Sequence, residues 1–225
     1  MANAFRSARL LYRAVEDQDE DFILSVESDP NISGNANADL LKPASKRSVK
    51  GLVHFMQETA LLGVIICLQP CPDRSESSSP DVDPASSVAF TNRCQRSGRS
   101  NGRSSAGSRN ATPIGYVSLS HELGPSNPHH RSAAIGISIA ASFQSQGHGS
   151  EAINWILDWA FEVAGLHRVS ITSFAYNEGA GRLYQRLGFS LEGRRREALW
   201  FRGRFHDMLL FSMLRHEWEK RSNRV

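Results

Sequence analysis

Residues 135–149 read IGISIAASFQSQGHG. A strand-like alternation, Ile135, Ile137 and Ile139 against Gly136, Ser138 and Ala140, runs through a small-residue bend into Gln144-x-x-Gly147-x-Gly149 and then into the amphipathic spacing of 150–164. Strand, glycine turn and helix N-terminus in that order predict an anion-binding turn. Glycines let backbone N–H groups converge on a ligand, and the helix start presents unpaired donors and the positive end of its dipole. A diphosphate is held there without any cationic side chain. Two other nucleotide patterns fail on the same residues. A Walker loop lacks its Lys, and a dinucleotide fingerprint lacks its three spaced glycines after a first strand. Taken alone, the pattern also reads as an ordinary glycine turn.

Working outward, 10–14 reads as a short first strand. Asp17-x-x-Glu20 resembles a capping box ahead of Phe22, Ile23 and Val26, with Asp29-Pro30 as the stop. Residues 31–44 are polar and read as irregular. Ser48 is placed to cap a second helix with Val49, Leu52, Val53 and Met56 on one face. The unbroken apolar runs 61–68 and 114–119 predict two neighbouring central strands. Beyond the glycine turn come a broadly buried helix to Ala164, a strand over 168–174 and a helix capped by Asn177. Two strands, 190–201 and 205–214, then flank Arg202-Gly203 as a hairpin. This order predicts an α+β fold on a mixed, mostly antiparallel sheet of six to seven strands.

Between the two central runs, 70–112 is dominated by Ser, Arg, Pro, Gly and Asn and predicts a disordered insertion, because it offers few apolar side chains against the entropy of ordering. A single domain over 1–218, interrupted there and followed by a flexible tail at 219–225, is the expected organisation. The insertion reads as a spacer, or as a docking or regulatory arm. The net charge of +3 is concentrated in it: 70–92 carries −3 and 93–112 carries +5. The folded part has no basic face that argues for nucleic acid. The N-terminus lacks an apolar signal core and no apolar run is long enough to span a bilayer. A cytoplasmic location is expected, with the nucleus left open. Cys67, Cys71 and Cys94 form no metal-ligand spacing with His, so no metal is expected.

Gln144-x-x-Gly147-x-Gly149, followed by the run Asn177 through Arg182-Leu183-Tyr184 to Gly188-Phe189, resembles the GCN5-related N-acetyltransferase superfamily. His130-Arg131-Ser132-Ala133 and Glu192-Gly193-Arg194-Arg195-Arg196-Glu197 are similar to its branch of ribosomal-protein, spermidine and small-amine acetyltransferases. The resemblance covers residues 10–218 apart from the insertion. It implies a splayed central strand pair and acetyl-CoA as acyl donor. The cofactor would lie on Ile137, Ser138 and Ile139 of the splayed strand, on Gln144, Ser145, Gln146, Gly147, His148, Gly149 and Ser150 of the turn, and on Asn177 and Tyr184. It assigns Tyr184 as the donor to the departing thiolate. Where relatives carry a Glu at the start of the central strand this chain has Ala134, so Glu122, with His121 beside it, stands in as candidate base. The implied acceptor is a primary amine of a small molecule or a protein N-terminus, and the implied state is monomer or homodimer. Two other function classes fit: an acyl-CoA-binding scaffold that lost its base, which Ala134 favours and Asn177 and Tyr184 oppose, and a nucleic-acid binder using the Arg/Ser arm.

Overall fold

The computed structural model describes residues 4–69 and 111–222. The expected insertion lies outside them except for its last two residues. Ala111 packs on the core and Thr112 opens a strand, so the described chain resumes earlier than expected. In order come β1 (Leu10–Ala14), α1 (Glu20–Glu27), α2 (Pro30–Ala36), α3 (Lys46–His54), β2 (Leu62–Leu68), β3 (Thr112–His121) and β4 (Ser132–Ile139). They are followed by α4 (His148–Asp158), β5 (Arg168–Phe174), α5 (Glu178–Arg186), β6 (Ser190–Phe201), β7 (Arg204–Leu214) and α6 (Arg215–Ser222).

Four local expectations are corrected. The entry to α1 uses Glu16 and Asp19 rather than Asp17 and Glu20. Asp19 Oδ2 accepts from Glu16 N at 2.9 Å while the buried carboxylate takes a bidentate pair from Arg13 at 2.6 and 2.7 Å. Residues 30–36 are helical, not irregular. Asp29 accepts from Asn31 N at 2.8 Å and Pro30 occupies the first helical position, so the pair that reads as a stop is also a start. Ser45, one turn before Ser48, is the true cap of α3, with Ser48 completing the box. Finally, α6 carries regular structure past Trp218, whose indole donates to Asp158 at 3.0 Å.

The seven strands form one sheet in the order β1-β2-β3-β4-β5-β7-β6, antiparallel everywhere except between β4 and β5. That parallel pair joins only Ser132, Ala133 and Ala134 to Arg168, Val169 and Ser170. Beyond it β4 stays on β3 until Ile139 faces Gly115, and β5 stays on β7 until Phe174 faces Met208. Each strand follows its outer neighbour, and a cleft opens between them. A polar cluster ties the closed end: Arg168 donates to Glu192 and lies 3.5 Å from Glu122, whose carboxylate accepts from Ser132 Oγ.

Both faces of the sheet are covered. Ile65, Cys67 and Tyr116 pack beneath α1 and α3, while Val64, Ile66 and Val117 join Ile153, Ile156 and Phe161 on the opposite side. Burial on both faces is why the central strands read as unbroken apolar runs.

Candidate active site

The glycine turn is built by side chains folded back on it. Gln144 Nε2 donates to Ile139 O and Gln146 Nε2 to Ser142 O, each at 2.8 Å, so both amides shape the turn instead of projecting as free donors. Ser145 and Gly147 take positive φ, +60° and +83°, and Gly147 caps α4. A Cβ at Gly149 would meet nothing within 4 Å, so the first turn of α4, with Ser150, faces open space. Arg9 arrives from the chain before β1: its Nη1 donates to Gln146 O at 3.0 Å and its Nε to Glu151 at 2.8 Å. The turn thus has a cation that the local sequence lacks.

His148, the first residue of α4, is buried. It is 5 % exposed, and burial, followed by the charge of Arg9, lowers its pKa, so the ring is neutral. Its Nδ1 is sealed without a hydrogen-bond partner among the described residues. The open space lies at Gly149 and the helix start, whose first N–H groups have no partner within the helix, while the His148 ring packs beneath them.

On the face of α1–α3, a cavity of about 770 Å³ runs along β4 from Ala134 through Ile137 and Ser138. It is walled by β3 and by the chain between α2 and α3. Glu27, the last residue of α1, reaches its wall and accepts from Tyr116 Oη and, at 3.1 Å, from Asn37 Nδ2. Burial and then the Glu27 charge push the Tyr116 pKa up, so Tyr116 stays a donor. Sequence reading passed over Glu27. A carboxylate in a helix's last turn opposes the dipole, and that unfavourable placement was its available signal.

Tyr184 lies on α5 with its ring packed against Phe189 and edge-on to Phe211. It is 7 % exposed, burial raises its pKa to about 12, and its hydroxyl has no hydrogen-bond partner among the described residues. Asn177 Oδ1 caps α5 by accepting from Ala180 N at 3.2 Å, and its amide donates to Asn35 O at 3.4 Å. Glu122 stands apart from the cavity, in the cluster at the closed end of the cleft. The structure therefore brings Ile137, Ser138 and Glu27 to one cavity and leaves Glu122 outside it.

A family model described as the acetyltransferase (GNAT) family matches residues 70–189. The chain belongs to the GNAT family. Among GNAT proteins, YdaF of Bacillus subtilis, named for a ribosomal N-acetyltransferase, is 37 % identical over 105 residues, covering 47 % of this chain and 55 % of its own. The spermidine N(1)-acetyltransferase of Vibrio cholerae is 34 % identical over 93 residues, 41 % of this chain and 54 % of the relative. The chain spans about half the length of the curated relatives it matches. The crystal structure of Vibrio cholerae spermidine N-acetyltransferase with CoA and spermine superposes with a TM-score of 0.66 at 22 % identity, over 95 % of this chain and 99 % of that one. The seven-stranded mixed sheet described above is thus the GNAT fold. Among the described residues no helix is long and apolar enough to cross a membrane, and no group of three metal-ligating side chains occurs.

Proposed function

We propose that the protein is an acetyl-CoA-dependent N-acetyltransferase acting on a primary amine of a small molecule or a protein N-terminus. One observation carries the reading: β4, parted from β5 after Ala134, has a free backbone edge that leads into the open glycine turn of α4. An extended amide-bearing arm can pair with such an edge while its diphosphate meets the helix start. The open space at Gly149 and the N–H groups of the α4 start fit that group, and Arg9, ion-paired with Glu151, borders them. The relatives are named for a ribosomal N-acetyltransferase and a spermidine N(1)-acetyltransferase, names that point to amine acceptors.

The donor supplies an acetyl group activated as a thioester. For the transfer, the amine must be neutral and held near the thioester carbonyl. Glu27 is the carboxylate on the cavity wall, within the same cavity as the free stretch of β4, and is assigned to anchor the amine and take its proton. That assignment answers Ala134, which lines the same wall with no carboxylate. Glu122, engaged by Ser132 and Arg168, serves the closed end of the cleft instead.

Tyr184 is assigned to the departing thiolate. With its pKa at about 12 the phenol keeps its proton throughout the physiological range. Full transfer to a thiolate of ordinary pKa near 8.5 runs uphill by about 5 kcal/mol. The hydroxyl therefore acts by donating a hydrogen bond to the developing negative charge, and the proton that ends on sulfur comes from the amine by way of the base or solvent.

The test is thiol release from acetyl-CoA across a panel of amines, with the products weighed by mass spectrometry. A mass gain of one acetyl group on an amine is expected. Tight coenzyme A binding with no amine-dependent release would make the chain a binding protein.

A further inference from the structure

A second cavity, of about 550 Å³, lies on the same face of the sheet as the first, at the tip of the β6–β7 hairpin, and is lined by Tyr176, Phe201, Arg202, Arg204 and His206 with two asparagines of α2. Among the described residues no carboxylate lines it. Tyr176 and Phe201 stack with centroids 4.5 Å apart, His206 stands edge-on to Tyr176 at 4.9 Å, and Arg202 lies 5.2 Å over the Phe201 ring. Of the hairpin's carboxylates, Glu192 is paired with Arg168 and Asp207 with Arg194, and Glu197 forms no ion pair with Arg202 or Arg204 among the described residues. Among the described residues Arg202 and Arg204 have only neutral partners, Asn31 Oδ1 at 3.1 Å and His206 Nε2 at 3.3 Å. Two guanidinium groups without a counter-charge around one cavity are the chemistry of a carboxylate or phosphate site.

The position of α2 connects this cavity with the first. Ser33, Ala36 and Asn37 face the Glu27 cavity, while Asn31 and Asn35 face the arginine cavity, so one helix is the partition between them. It is pinned there by Tyr176 Oη donating to Gly34 O at 2.6 Å and by the Phe201 ring, which would lie 2.9 Å from a Cβ at Gly34. The first cavity runs along β4 and the second borders Tyr176, just past the end of β5. The two cavities therefore lie on either side of α2, the one bordering β4 beside a carboxylate and the one past the end of β5 beside a pair of arginines.

We infer that the acceptor carries an anionic group, carboxylate or phosphate, that binds Arg202 and Arg204 while its amine lies toward Glu27. This rests on the acetyltransferase reading above. A polyamine, which has no anion to offer, meets repulsion in the second cavity and is disfavoured.

Two measurements test it. Inorganic phosphate is titrated, with coenzyme A added to fill the glycine turn, into the wild type and into an Arg202→Asn, Arg204→Gln double variant. Asn suits the positive φ of +48° at position 202, so the hairpin turn is kept, and the melting temperature verifies the fold. Phosphate should bind the wild type and lose at least tenfold in affinity in the variant; equal binding to both overturns the site. Second, kcat/KM is compared for ω-amino carboxylates of increasing length, the matched alkyl amines, and spermidine. The best carboxylate should exceed its neutral match at least tenfold in the wild type, and the double variant should erase that gap while acetylating neutral amines as before. Equal rates, a gap that survives the variant, or a preference for spermidine overturns the inference with the acetyltransferase intact. Loss of transfer to every amine, with phosphate still bound, refutes the acetyltransferase reading and with it the acceptor assignment.

Discussion

Glu27 accepts a hydrogen bond from Tyr116 Oη, joining the C-terminal end of α1 to the middle of β3 at the wall of the larger cavity. A fixed carboxylate at that place is what an amine acceptor needs. Glu27→Gln keeps an acceptor for Tyr116 and nearly the same volume, so folding and acetyl-CoA affinity should hold while turnover falls about 10²-fold, the scale of a lost general base. Glu122→Gln is the control and should leave turnover near the wild type. The opposite ranking of the two variants would return the base to Glu122.

Tyr184→Phe removes a hydroxyl that bonds to nothing among the described residues while keeping the ring against Phe189 and Phe211. Stability should therefore barely change, in contrast to the cost of about 1 kcal/mol for a lost internal hydrogen bond. Turnover should fall by about 10 to 10²-fold. A rate constant and a melting temperature measured on one preparation decide it, and normal turnover would show that another group meets the thiolate.

The two glycines of the turn should separate folding from binding. Gly149→Val points into open space at ordinary φ, so the protein should fold normally yet lose at least tenfold in acetyl-CoA affinity, about 1.4 kcal/mol, because the side chain fills the ligand's place. Gly147→Val forces a branched residue to φ +83° with Arg9 Nη2 only 3.2 Å from the new Cβ, so it should lower the melting temperature as well. Calorimetric binding together with thermal unfolding reads both effects; unaltered affinity in Gly149→Val would move the donor elsewhere.

Glu192 gives a stability test with a defined sign. The Arg168 guanidinium and then Ser212 Oγ hold its pKa down to about 2. An unfolded glutamate titrates near 4.3, so as pH falls the unfolded chain takes up the proton first. The contribution is complete above about pH 4.3 and disappears as pH drops through about 2. Because the side chain is 40 % exposed, screening reduces it to about 1 kcal/mol. Denaturant unfolding between pH 5 and 2 should lose that much more stability in the wild type than in Glu192→Gln. Parallel curves would mean the pair contributes nothing.

Leu68 and Thr112 face each other in the β2–β3 ladder, so the chain that leaves one strand at 69 re-enters the other directly alongside. We propose that 70–110 is dispensable for the fold. Replacing it with Asn-Gly should keep or raise the melting temperature, since each halving of a flexible loop saves about 0.6 kcal/mol of closure entropy. A large drop would show that the segment packs on the domain.

Sequence alone determined the order of the strands and of α1, α3, α4 and α5, and the place of the turn. Alternation over 135–139, the glycines at 147 and 149 and the apolar stripe of α4 are short-range patterns, and short-range patterns specify local backbone. It erred where one residue type serves two roles, as Asp29-Pro30 both stops α1 and starts α2. What only the tertiary structure decided depends on contacts across the chain. Arg9 reaches Gln146 over 137 positions, and Glu27 meets Tyr116 over 89. His148, polar by type, is buried, and its pKa is lowered by that burial and then by the charge of Arg9 from the far end of the chain. The split of the sheet-covering face into a carboxylate cavity and an arginine cavity arises from where the seven-residue α2 packs, pinned by Tyr176 and Phe201, and that placement no local pattern announced. Charge and burial at a site are set by which distant residues fold onto it, and periodicity along the chain carries no record of them.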